Sequence, residues 1–159
     1  MSINLRAVLV GSATAALLTG STSAASAMTM SIGDPSLTAK VLVSVPVTVS
    51  CSPFDAALTP VNSNAFVSIE QAVGKSIARG SGFTPGSFSG ESLPFTCDGA
   101  DHIVNVDVTA DPAGPPFKHG SAVVRGSASA SAAQQCGPNC FFNFTVQSVN
   151  LGPTEVKIH

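Results

Sequence analysis

From residue 37 to residue 51 every odd-numbered position is apolar, while the even-numbered ones are Thr, Lys, Ser, Pro, Thr and Ser, with Leu42 the exception. Successive side chains of a strand point to opposite faces, so a period of two predicts extended chain with one apolar and one wet face. A single strand of that length would run about 50 Å, beyond the ordinary range. Pro46 has no N–H for a ladder and is the expected divider, ending one strand at Val45 and opening the next at Val47.

The same alternation returns further on. Ala65, Val67, Ile69, Gln71 and Val73 share a parity, with Gly74 as an interruption, and so do Leu93, Phe95 and Cys97. Val104, Val106, Val108 and Ala110 face one way, with Asn105, Asp107 and Thr109 facing the other. Ala122 and Val124 restart the pattern, which residues 126–133 continue in Ser/Ala form. Phe142, Phe144 and Val146 share a face before the apolar parity moves to Val149 and Leu151, predicting a bulge or turn near Ser148. Val156 and Ile158 supply a last short strand. Residues 52–64, 80–92 and 111–120 are rich in Gly, Pro, Asn and Ser and read as connections. With about seven to nine short strands and no amphipathic helix, the expected fold is all-β, an antiparallel β-sandwich.

The N-terminus changes the picture of where this fold works. A basic start at Arg6, an uncharged apolar run and Ala25-Ser26-Ala27 fit a secretory signal peptide over residues 1–27, leaving residues 28–159 as one domain. The apolar run is shorter than the roughly 20 residues of a membrane span, so no span is expected after removal. An exported chain with 4 cysteines points to disulfides among Cys51, Cys97, Cys136 and Cys140. Three pairings are possible in principle, and the turn chemistry of Gly137-Pro138-Asn139 favours Cys136 with Cys140, leaving Cys51 for Cys97. Without Arg6 the basic residues are Lys40, Lys75, Arg79, Lys118, Arg125 and Lys157, scattered singly against 9 acidic ones. That distribution offers no phosphate-tracking stripe and excludes nucleic acid as an expected partner.

On this strand pattern and the late pair Cys136/Cys140, the chain resembles small secreted bacterial immunoglobulin-like domains, and loosely the neocarzinostatin-type apoproteins. The resemblance covers residues 36–159 and implies an immunoglobulin-like sandwich; the apoproteins bind an apolar chromophore in a cleft. The chain has no Trp to pack beside the bridge and no Tyr for a tyrosine corner, so no functional residue is carried over.

Motifs of catalysis stop short. Cys136-Gly-Pro-Asn-Cys140 has three intervening residues where thiol redox chemistry uses two, and reads as structural. Asp98-Gly-Ala-Asp101-His102 has too few ligands for calcium and fits an Asp-Gly turn. Gly74-Lys75-Ser76 lacks the glycine five positions earlier, where Ile69 stands, and Gly86-Ser-Phe-Ser-Gly90 has Phe88 where a nucleophile would be. No catalytic residue, metal or cofactor is expected. Phe83, Phe88, Phe117 and Phe141 are the candidate contacts, since an aromatic on a loop can anchor a partner or line a cleft. The commoner fate of a loop phenylalanine is to fold back over the core. The expected role is a secreted, non-catalytic binding or surface-interaction module for an unidentified protein. A carrier of a small apolar ligand is the alternative, and a hydrolase stands third.

Overall fold

A computed structural model describes residues 28–84, 92–134 and 144–159. Its strands are β1 (Thr29–Ile32), β2 (Ser36–Ala39), β3 (Leu42–Ser50), β4 (Thr59–Val73), β5 (Ser76–Phe83), β6 (Asp101–Ala110), β7 (Gly120–Ala133) and β8 (Phe144–Ile158). No helix occurs among the described residues. The strands form one 8-stranded sheet in the order β1-β3-β6-β5-β4-β7-β8, with β2 also on β3. Every ladder is antiparallel.

The sheet curls until it nearly closes into a barrel. Its far edges meet at His159, whose N–H donates to the Pro35 carbonyl (3.0 Å) while its own carbonyl accepts from Leu37 N–H (2.7 Å). The seam between the two halves is β5–β6, which share only the pairs Gly80/Ala110 and Ser81/Thr109. Gly82 makes this crossing possible. A Cβ there would fall onto the Asp107 carbonyl, so the two backbones approach as only glycine allows.

The long alternating stretch is divided at Lys40-Val41, the turn between β2 and β3, and not at Pro46. Pro46 lies inside β3, opposite Asn105 of β6. Its carbonyl accepts from Gly33 N–H (2.8 Å), so its nitrogen faces the same side, where the edge is interrupted between β1 and β2. The missing donor therefore falls where the neighbouring edge is already broken. Residues 52–64 are also shorter as a connection than expected, since β4 begins at Thr59. Likewise β5 extends to Phe83, into the predicted 80–92 loop.

In β8 the expected bulge at Ser148 is absent: the pairing runs evenly from Ala133/Phe144 to Gly126/Leu151. The irregularity lies further on, at Gly152-Pro153, where β8 has one more residue than β7 between Leu151 and Thr154. Gln147 and Val149 consequently face inward, and Phe144 and Val146 are exposed. The apolar parity of the sequence misleads here because a glutamine takes an inward place. Its Nε2 donates to the Ser52 carbonyl (2.8 Å), which offsets part of the cost of burial, while Oε1 is buried without a partner among the described residues.

The interior is lined by β-branched and small side chains. Val43/Val108, Val45/Val106 and Val47/Val104 are in register across β3 and β6, and all six are buried. From β7 come Ala122, Val124, Ala128, Ala130 and Ala132. Two large rings from the connections, Phe95 and Phe117, are buried in the same core, and Phe117 lies against Gly80 of β5, where a side chain would meet its ring. Phe95 is held by Ser63, whose hydroxyl donates to the Phe95 carbonyl (2.8 Å). Beside Phe117, the Gln71 amide clamps Lys118, donating to its carbonyl (2.7 Å) and accepting from its N–H (2.8 Å).

Candidate functional site

The outward face of β5, β4 and β7 gathers the most chemistry. Glu70 of β4 pairs directly with Arg79 of β5, because those positions are opposite in the ladder. Arg79 Nε donates to Glu70 Oε1 at 3.1 Å, and Arg125 Nη1 of β7 stands 3.8 Å from Oε2. These groups border a groove of about 520 Å³ that also takes in Ser68, Ser81, Thr109 and Asp111. It is open to solvent, so the ion pairs are screened and contribute little to stability. Further along the same strands Phe66 and Phe83 are directly opposite each other. They are 42% and 70% exposed, an aromatic pair laid on the outer face.

No protein-family model, curated protein or solved structure matches the chain. The functional reading therefore stands on the residues themselves.

The structure separates the phenylalanines that the sequence grouped. Phe83 is on the surface at the end of β5. Phe117 is 1% exposed and part of the core, so it is a packing residue and not a surface contact. Phe88 and Phe141 lie outside the described residues, as do Cys136 and Cys140. Phe66 was missed: it sits off the inward parity of β4, and an outward Phe in a strand carries no signal until its neighbours are known. The Arg79–Glu70–Arg125 cluster was missed for the same reason: Glu70 and Arg79 meet only through the register of β4 with β5, and Arg125 comes from a strand distant in sequence.

Cys51 and Cys97 are bonded, as the sequence implied, linking the end of β3 to the segment that leads into β6. Just beyond the bridge is the Asp98 turn. The Asp98 carboxylate accepts from His102 Nε2 and from Ala100 N–H, both at 2.9 Å. The hydrogen bond from His102, and after it the one from Ala100, holds the Asp98 pKa below the usual aspartate value. Gly99 has a positive φ of 85° and its N–H donates to the Cys51 carbonyl (3.0 Å), completing a turn whose polar groups serve one another. Among the described residues no group of three or more His, Cys, Asp or Glu is placed to hold a metal ion. No described helix is long and apolar enough to cross a membrane.

Proposed function

We propose that this is an exported, non-catalytic immunoglobulin-like β-sandwich that acts as a binding module through the outer face of β5, β4 and β7. The observation that carries the reading is the exposed pair Phe66 and Phe83, two aromatic rings placed side by side on a regular, rigid sheet. Burying such rings favours association, and strands hold them with little entropy left to lose.

The immunoglobulin-like reading draws support from the strand order. Cut at the thin β5–β6 seam or at β5–β4, the sheet divides into β1-β3-β6 and β4-β7-β8 with β5 joining either. That is the order of the two sheets of an immunoglobulin domain, with β5 as the strand that changes sides. The bridge differs from the antibody one, since it joins β3 to the approach to β6 and not to β7. Export is supported by the leader pattern of residues 1–27 and by the Cys51–Cys97 bond, which persists in an oxidising compartment. The non-catalytic reading is supported by the ion pairs, which sit on open surface where water hydrates and screens the charges.

The test applies labelled residues 28–159 to the outer surface of the cells that export the protein. Saturable binding is expected, weakened at least about tenfold by the double variant Phe66→Ser/Phe83→Ser, as loss of central aromatic anchors implies. Unchanged binding by that variant contradicts the proposed face. Turnover of ester, glycoside, phosphate or peptide substrates that a single substitution abolishes contradicts the non-catalytic role.

A further inference from the structure

The groove beside Phe66 and Phe83 is mixed in sign, and the mixture identifies a class of ligand. Its two guanidinium groups, Arg79 and Arg125, are matched by two carboxylates, Glu70 and Asp111. A charged ligand of either sign gains little net attraction from a balanced set. Yet hydrogen-bonding capacity remains on both sides. Arg79 bonds Glu70 through Nε, leaving its two Nη groups, and Arg125 at 3.8 Å is beyond hydrogen-bonding distance. Asp111 accepts from Ala113 N–H through Oδ1 (2.9 Å), leaving Oδ2. Donors and acceptors thus alternate along the groove, with the hydroxyls of Ser68 and Ser81 between them.

A ligand that is neutral and carries many hydroxyls answers both kinds of group at once, because each hydroxyl donates and accepts. Phe66 and Phe83 add what such a ligand's ring faces require. They lie two positions along β4 and β5 from Ser68 and Ser81, about 7 Å away, on the same side of the sheet. From Arg125 of β7 to Asp111 beyond β6 the groove crosses three strand spacings, about 14 Å, long enough for more than one ring. A protein partner is a poorer match, since the adjoining face of β7 presents Ser127, Ser129 and Ser131, a residue type depleted from protein interfaces.

We infer that the groove binds a neutral oligosaccharide, with sugar rings against Phe66 and Phe83 and hydroxyls bridging the Arg79/Arg125 donors and the Glu70/Asp111 acceptors. The inference rests on the binding-module reading above and names its ligand.

The experiment is calorimetric titration of residues 28–159 with neutral oligosaccharides of glucose, mannose, xylose and N-acetylglucosamine, beside an oligouronate as the charged comparison. At least one neutral sugar is expected to bind, and to bind equally in ~0.5 M salt, where charge attraction is screened within a few ångströms. Phe66→Ala/Phe83→Ala and, separately, Glu70→Gln are expected to weaken it at least about tenfold, with far-UV spectra unchanged because all three side chains are on the surface. Three results overturn the assignment: no neutral sugar binds, only the oligouronate binds and salt removes it, or both variants bind as the parent does. In each of these cases saturable cell-surface binding that depends on Phe66 and Phe83 would still stand, so failure of the ligand class is separable from failure of the binding role.

Discussion

At the scale of single residues, the clearest electrostatic arrangement is Asp98 with His102, and its role is to shape the turn after the bridge. Hydrogen bonds from His102 and Ala100 favour the ionised carboxylate and depress its pKa. A group whose folded value is depressed contributes its stability above the unfolded value and loses it as pH falls through the folded one. The turn is therefore expected to loosen only in acid, below the ordinary aspartate range. In a carboxyl-detected NMR titration the Asp98 midpoint should lie below that range and move upward in His102→Gln. An unchanged midpoint in the variant would show that His102 is not the cause. Of this arrangement the sequence displayed the Asp-Gly turn; the closeness of His102 to the carboxylate needed the strand that begins at Asp101.

At the scale of elements, the decisive contact is the crossing of β5 over β6. Long ladders fix the register of β3 with β6, of β4 with β5 and β7, and of β7 with β8, but here two residue pairs join the halves and the backbones meet at Gly80 and Gly82. Gly82→Ala is expected to destabilise the protein by about 2 kcal/mol or more, because its new methyl meets a backbone carbonyl that cannot rotate away. Gly152→Ala, at a position with open space around it, should change stability by less than about 0.5 kcal/mol. Urea unfolding of both variants checks the contrast, and equal losses would mean that the crossing is looser than the structure shows. The sequence made these glycines look like loop residues. Gly-Ser-Gly is turn chemistry by composition, and only the approach of β6 turns it into a strand that must be thin.

At the scale of the whole molecule, the contact of His159 with Pro35 and Leu37 ties the far edges of a nearly closed sheet, while the Cys51–Cys97 bridge fastens the segment that leads into β6 to the end of β3. With the cysteines 46 positions apart, replacing both by Ala should lower stability by about 4 kcal/mol on the chain-entropy model, read as a reduced urea midpoint with the fold retained. A change under about 1 kcal/mol would mean that the β3–β6 ladder and the Asp98 turn hold that segment without the bridge. What the sequence determined by itself was the strand class and the parity of β3, β4, β6 and β7, and it favoured Cys51–Cys97 among three possible pairings. Those follow from local alternation and from cysteine placement, which the chain carries without reference to its neighbours. What the tertiary structure decided was the site. Which outward side chains become neighbours depends on strand order and register, so Phe66 met Phe83 and Glu70 met two arginines only once β5, β4 and β7 lay side by side. The same physics placed Phe117 inside: Gly80 of β5 has no side chain in the way of its ring, and burial of a large ring is favourable.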